Sequence, residues 1–223
     1  MIKLLIIINY FIMPISWIFT EPLFFIAWVV AIIVALSIHE FSHAVTAYLL
    51  GDYTAKKDGR LSFNPLIHID PLGFTMLLIA GFGWAKPVSV NPYNLRNQRW
   101  GMVLVSLAGP LSNFLCVFIF VILFKLLSPI LGNNNLLSNF LFMMILINIS
   151  LFIFNLIPIP PLDGSKVLFG LLPDSHFAEF KYKFSLNGPW ILLMLILIDS
   201  FTGIGIFSSL FNLMINLISR FII

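Results

Sequence analysis

The feature that most limits what this chain can become is the apolar run over residues 23–50. It is longer than the roughly 20 residues that cross a bilayer, so as a helix it must tilt or protrude. The rest of the chain offers no water-facing alternative. Of 223 residues, 60% are hydrophobic and 9% charged, against about 25% charged in a soluble domain. That excludes an ordinary soluble enzyme. The lipid bilayer is the expected surroundings, and no nucleic-acid partner is expected. Cys116 stands alone in an apolar run. It can form no internal disulfide and reads as a core residue.

The expected fold class is an all-α polytopic membrane protein of about six transmembrane helices, over residues 2–19, 23–50, 102–127, 136–157, 190–198 and 204–218. The fifth is short and needs flanks from 186 to 201 to cross. The first carries no small-residue cleavage site after it and is read as a retained span rather than a cleaved signal. Residues 51–100 differ in kind, being polar and rich in Pro and Gly. Lys57-Asp58-Gly59 is a strong turn signal, which predicts a β-hairpin over residues 52–64. Residues 74–82 are apolar but too short to span, which predicts a re-entrant or interfacial segment. Residues 166–172 suggest a short helix, followed by a polar loop to Leu186.

Lys and Arg set the orientation. The loop after the second span holds Lys56, Lys57, Arg60, Lys86, Arg96 and Arg99, and the loop after the fourth holds Lys166, Lys181 and Lys183. With six spans, both basic loops and both termini lie on the cytoplasmic side of a multi-pass plasma-membrane protein. Lys125 runs against this pattern and is read as snorkelling toward the headgroups.

Within the second run stands His39-Glu40-Phe41-Ser42-His43. Residues i and i+4 share one helix face, so the two imidazoles can grip one metal ion. Glu40 lies beside them as a candidate general base toward water, and H-E-x-x-H on a helix is a zinc metalloprotease pattern. His43 lies seven residues before Leu50, roughly 10 Å inside the helix end at 1.5 Å per residue. A catalytic zinc takes three protein ligands. The third can come from His68, His176, Asp163, Asp174 or Asp199. Asp163 is favoured because it follows a proline-broken helix end on the same side of the membrane and precedes Gly164, which lets backbone come close. From spacing alone, Asp163 reads better as a cap or turn residue than as a ligand. His68 reads as a structural loop residue and His176 as a solvated one. Asp199 reads as marking the outer end of the fifth span.

The chain resembles the site-2 proteases, the intramembrane zinc metalloproteases, in their compact prokaryotic form without PDZ or CBS domains. The residues that carry the likeness are His39-Glu40-Phe41-Ser42-His43, Asn64-Pro65-Leu66-Ile67-His68-Ile69-Asp70-Pro71-Leu72-Gly73, Trp84-Ala85-Lys86-Pro87-Val88, Ala108-Gly109-Pro110-Leu111-Ser112-Asn113, and the stretch from Asn155 to Asp163-Gly164. The doubled Pro160-Pro161 departs from the family pattern and is treated as a tolerated variant. The resemblance implies one zinc ion per chain held by His39, His43 and Asp163, with Glu40 as general base. It implies that Asn155 contacts the substrate backbone or steadies the oxyanion. It also implies a small membrane-embedded sheet after the second span, and hydrolysis of transmembrane protein substrates within the membrane at a site open to the cytoplasm. Residues 1–223 are read as a single domain, with a catalytic core over about 22–172 and accessory helices at 1–20 and 186–223. The alternative is a membrane zinc-binding protein or transporter without proteolytic activity.

Overall fold

The computed structural model describes residues 14–80, 83–132, 135–206, 209–210, 212–213 and 216. Its helices are α1 (Trp17–Thr20), α2 (Pro22–Leu49), α3 (Thr54–Lys57), α4 (Pro71–Ala80), α5 (Gln98–Leu131), α6 (Leu136–Leu156), α7 (Asp163–Leu171) and α8 (Asp174–Thr202). Helices α2, α5 and α6 are long and apolar enough to cross a membrane. They pack on one another as a three-helix bundle, with α7 laid against α5. The architecture is that of an all-α membrane protein.

Local chemistry sets the boundaries. Pro22 opens α2, where a missing N–H costs nothing. The side chains of Asn97 and Asn135 accept from Trp100 N and Ser138 N, capping α5 and α6. Pro158, Pro160 and Pro161 prevent α6 from continuing past Leu156. The Pro160–Pro161 bond is cis. The chain then turns into α7, which opens on Asp163 itself.

The bundle interior is built from small and polar residues as much as from large apolar ones. On α2 the enclosed positions include Ala27, Ala31, Ala35, Ala44 and Ala47 beside Ser37, His39, Glu40 and His43. Small residues let backbones approach, which matters where lipid removes the hydrophobic drive between helices. One cluster joins Trp17, Trp28 and Ile32 to Met143, Met144 and Ile147. Another joins Val117 and Val121 of α5 to Ile145, Ile149 and Ile153 of α6.

The predicted hairpin over 52–64 does not form. Thr54–Lys57 is a turn of helix, and Arg60 N donates to Ala55 O at 2.8 Å with Gly59 at φ +70°. A glycine at positive φ closes a helix as readily as it turns a hairpin, so Asp58-Gly59 served the helix instead. The expected sheet reduces, among the described residues, to one antiparallel bridge between Ile69 and Ala85, beside Lys86 N donating to His68 O at 2.8 Å. Pro65, Pro71, Pro87 and Pro92 remove the donors a longer ladder needs. Residues 74–80 of the apolar segment predicted over 74–82 belong to the ten-residue helix α4, about 15 Å long and too short to span, and residues 81–82 lie outside the described residues.

Six spans are also more than the described residues carry. The first lies largely outside them, and the sixth falls partly outside them. The fifth is not a short helix after a loop. It is the second half of α8, one helix of 29 residues. Its polar first half is helical because Asp174 stands in the first turn and Glu179 pairs with Lys183 one turn on, at 2.6 Å.

Candidate metal centre

Three side chains from two helices meet at one buried point. His39 and His43 project from one face of α2, and Asp163 from the first turn of α7. All three are buried. His39 Nε2 and His43 Nε2 stand 3.0 Å apart, and Asp163 Oδ2 lies 3.2 Å from the first and 3.1 Å from the second. Among the described residues these form a group whose ligand atoms all lie within 4.8 Å of one another. Asp163 Oδ1 accepts from Lys166 Nζ at 3.1 Å, which leaves Oδ2 for the centre.

The donor set fits a cation. His39 Nδ1 faces Asn113 Oδ1 at 2.6 Å, and His43 Nδ1 faces the Val105 carbonyl at 2.7 Å. Both oxygens can only accept, so both Nδ1 atoms carry the proton. A neutral imidazole protonated there presents a bare lone pair at Nε2. Two lone pairs and a carboxylate oxygen then converge with no proton to share, an arrangement that repels itself unless a positive ion sits among them. His-carboxylate donors suit zinc.

Helix α5 leaves room for this group by a glycine. A Cβ on Gly109 would fall 2.4 Å from His43 Nε2 and 2.6 Å from His39 Cε1. Gly109 therefore lets α5 pass close enough for Val105 and Asn113, a turn to either side, to hold the two rings. Gly164 does the same for α7, since its Cβ would fall 2.3 Å from Leu156 O.

Glu40 is 8% exposed and points toward the interhelical segment, where its Oε2 accepts from Val88 N at 3.1 Å. Two features hold that segment in place. Phe63 stacks on Phe41, with ring centroids 3.8 Å apart. Asp52, fully enclosed at the foot of α2, accepts from Thr54 N at 3.0 Å, Asn91 N at 2.7 Å and Asn94 Nδ2 at 3.0 Å. Burial alone would push the Asp52 carboxyl up. The hydrogen bonds from Thr54, Asn94 and Asn91 outweigh it and hold the group below the usual carboxylate range.

The remaining candidates fall elsewhere. His68 is buried and its Nε2 donates to Ser62 O at 2.9 Å, an anchor for the loop as expected. Asp174 is exposed and pairs with Lys181, which holds its carboxyl low. Asp199 Oδ1 accepts from Ile206 N at 2.6 Å at the end of α8. His176 is exposed. Asn155 is half-buried, and its Nδ2 donates to Leu151 O at 3.1 Å within its own helix. Sequence reasoning gave no role to Gly109, Asn113 or Val105, and passed over Asn148. An asparagine in a lipid-embedded apolar run is costly, and that was the signal available for Asn148.

A buried two-histidine, one-carboxylate group inside a bundle of apolar helices defines the class: a membrane protein with an intramembrane metal centre. Comparison with known proteins goes further. Residues 129–197 match peptidase family M50, a stretch that contains Asp163 but not the histidine pair. The chain is 43% identical over 156 residues to the Bacillus subtilis protein named "Putative zinc metalloprotease YwhC", covering 68% of this chain and 71% of that one. It is 33% identical over 163 residues to "Putative zinc metalloprotease MJ0611" of Methanocaldococcus jannaschii, covering 70% and 78%. To "Putative zinc metalloprotease Rip2" of Mycobacterium tuberculosis it is 35% identical over 143 residues, and there it spans 53% of the relative's length. No solved structure matches the chain. The chain belongs to peptidase family M50, the site-2 proteases, and is an intramembrane zinc metalloprotease.

Proposed function

We propose that this enzyme hydrolyses peptide bonds in or near the transmembrane segments of membrane-protein substrates, with His39, His43 and Asp163 holding its zinc. The observation that carries the reading is the convergence of two His Nε2 lone pairs and Asp163 Oδ2 within 3.2 Å in a buried site. Bound zinc supplies a Lewis acid and makes water a nucleophile near neutral pH.

The chain's own residues do the rest. Glu40 takes the proton from the attacking water and returns it to the leaving amine. The Val88 N–H on Oε2 holds the carboxylate in place and leaves Oε1 for that transfer. Asn155 stands at the end of α6, and on exchanging Leu151 O for substrate it steadies the oxyanion. The extended chain around the Ile69–Ala85 bridge receives an unwound substrate segment, since a helix hides its carbonyls in its own hydrogen bonds.

The catalytic core spans about residues 22–172 of a single domain, with accessory helices before and after it. In this reading the chain crosses the plasma membrane several times, with α2, α5 and α6 among its spans and with both termini and the site's opening on the cytoplasmic side. The basic loops support that orientation: Arg99 donates to Gly170 O and Leu171 O, so basic residues from both loops gather at the same end of the bundle as Lys181. The test is cleavage of a reporter membrane protein by Glu40→Gln. Loss of cleavage with zinc retained is expected, and undiminished cleavage would remove Glu40 from the mechanism.

A further inference from the structure

Asn148 lies on α6, fully enclosed, and its side chain hydrogen-bonds to Met144 and Asn113. Its Nδ2 donates to Met144 O at 2.7 Å, and its Oδ1 accepts from Asn113 Nδ2 at 2.8 Å. Asn113, on α5 and equally enclosed, turns its Oδ1 to His39 Nδ1 at 2.6 Å. The order of these contacts is forced. A backbone carbonyl only accepts, so Asn148 must present its nitrogen to Met144 and its oxygen to Asn113. Asn113 must then present its nitrogen to Asn148 and its oxygen to His39, and His39 must carry its proton on Nδ1. A flipped Asn113 amide would set an N–H against Nδ1 and favour the tautomer protonated on Nε2, which has no lone pair for a metal. Ala35 O also accepts from Asn113 Nδ2, but at 3.5 Å, so Asn148 is the stronger constraint.

We propose that Asn148 is a positioning residue that, through Asn113, locks His39 in its metal-binding tautomer. The inference rests on the reading of His39, His43 and Asp163 as the zinc ligands. Partners of a ligating histidine commonly tune metal affinity about 10–100-fold. Asn148 does so at one further remove, from the third helix of the bundle.

The test is zinc affinity of the full-length chain in nanodiscs, by chelator competition. Asn148→Leu is expected to weaken zinc about tenfold. Asn113→Asp replaces the amide with two equivalent oxygens, so flipping no longer matters. In that background Asn148→Leu is expected to cost less than about twofold, a rescue that a packing role would not produce. An equal loss in both backgrounds, or no loss in the native one, overturns the proposal. Should Asn148→Leu fail to fold, the unaltered metal-free protein decides: ¹⁵N-histidine NMR must show His39 protonated on Nδ1, and the Nε2-protonated form overturns the relay. Failure of the underlying site reading looks different, since the native chain itself would then not bind zinc.

Discussion

Helices α2 and α8 have 28 and 29 residues, and α2 and the second half of α8 are largely apolar, yet the molecule uses them in opposite ways. Helix α2 turns Ala27, Ala31, Ala35, Ala44 and Ala47 inward together with His39, Glu40 and His43, and leaves Leu23, Ile26 and Val30 outside. Helix α8 encloses Gly188 and Leu192, and leaves Trp190, Ile191, Met194 and Ile198 exposed. It meets the core where an added Cβ on Gly188 would lie 2.5 Å from Pro160. In lipid, a large apolar side chain gains nothing by moving inward. Small and polar residues therefore mark an interior, and the helix that has them carries the chemistry.

That contrast can be broken at several points. The largest effect is expected from the ligands: His43→Ala or Asp163→Asn should abolish zinc retention through purification, read by metal analysis. Retained zinc would mean that the polar face of α2 is merely structural. Glu40→Gln should lower turnover about 10²–10⁴-fold while zinc stays bound. Next come two glycines compared directly. Gly109→Ala places a methyl against both imidazoles and should weaken zinc about 10–100-fold, whereas Gly188→Ala should cost about 1–3 kcal/mol of stability with less than tenfold change in zinc affinity. Equal effects on zinc would erase the distinction between the two helices.

A smaller effect is expected at the foot of α2. The Asp52 carboxyl lies below its ordinary value of 3.8 in the folded protein. Its stabilisation is therefore complete above that value and disappears as pH falls through the lower folded one. Asp52→Asn should cost about 1–3 kcal/mol near neutral pH and raise proteolytic nicking over residues 53–90, with the difference from the native chain shrinking as pH falls through the lowered folded value. The smallest effect belongs to the lipid-facing side of α8. Trp190→Ala should leave folding within about 0.5 kcal/mol and zinc affinity unchanged.

Much of the site was legible before any coordinates. His39 and His43 announce themselves because i,i+4 spacing has one geometric meaning on a helix, and an apolar run of that length has few fates but a helix. Asp163 could only be favoured, since its partners lie over a hundred positions away. The hairpin at Asp58-Gly59 was misread because a positive-φ glycine serves two kinds of ending. The polar loop expected up to Leu186 was misread because a polar stretch shows no apolar stripe, while α8 runs helical from Asp174 through it. Asn148 was invisible as a participant because its meaning depends on which amide faces which ring.

By itself, the sequence determined that this protein lives in lipid, that α2, α5 and α6 are helices, and that one face of α2 offers two imidazoles with a carboxylate next to the first in sequence. These follow from hydropathy and helical periodicity, which are local properties. Only the tertiary structure decided that Asp163 closes the group, that Gly109 lets α5 reach the histidines, and that Asn113 and Asn148 set the proton on His39. Those depend on groups distant in sequence meeting within about 3 Å, the range over which a hydrogen bond exists at all.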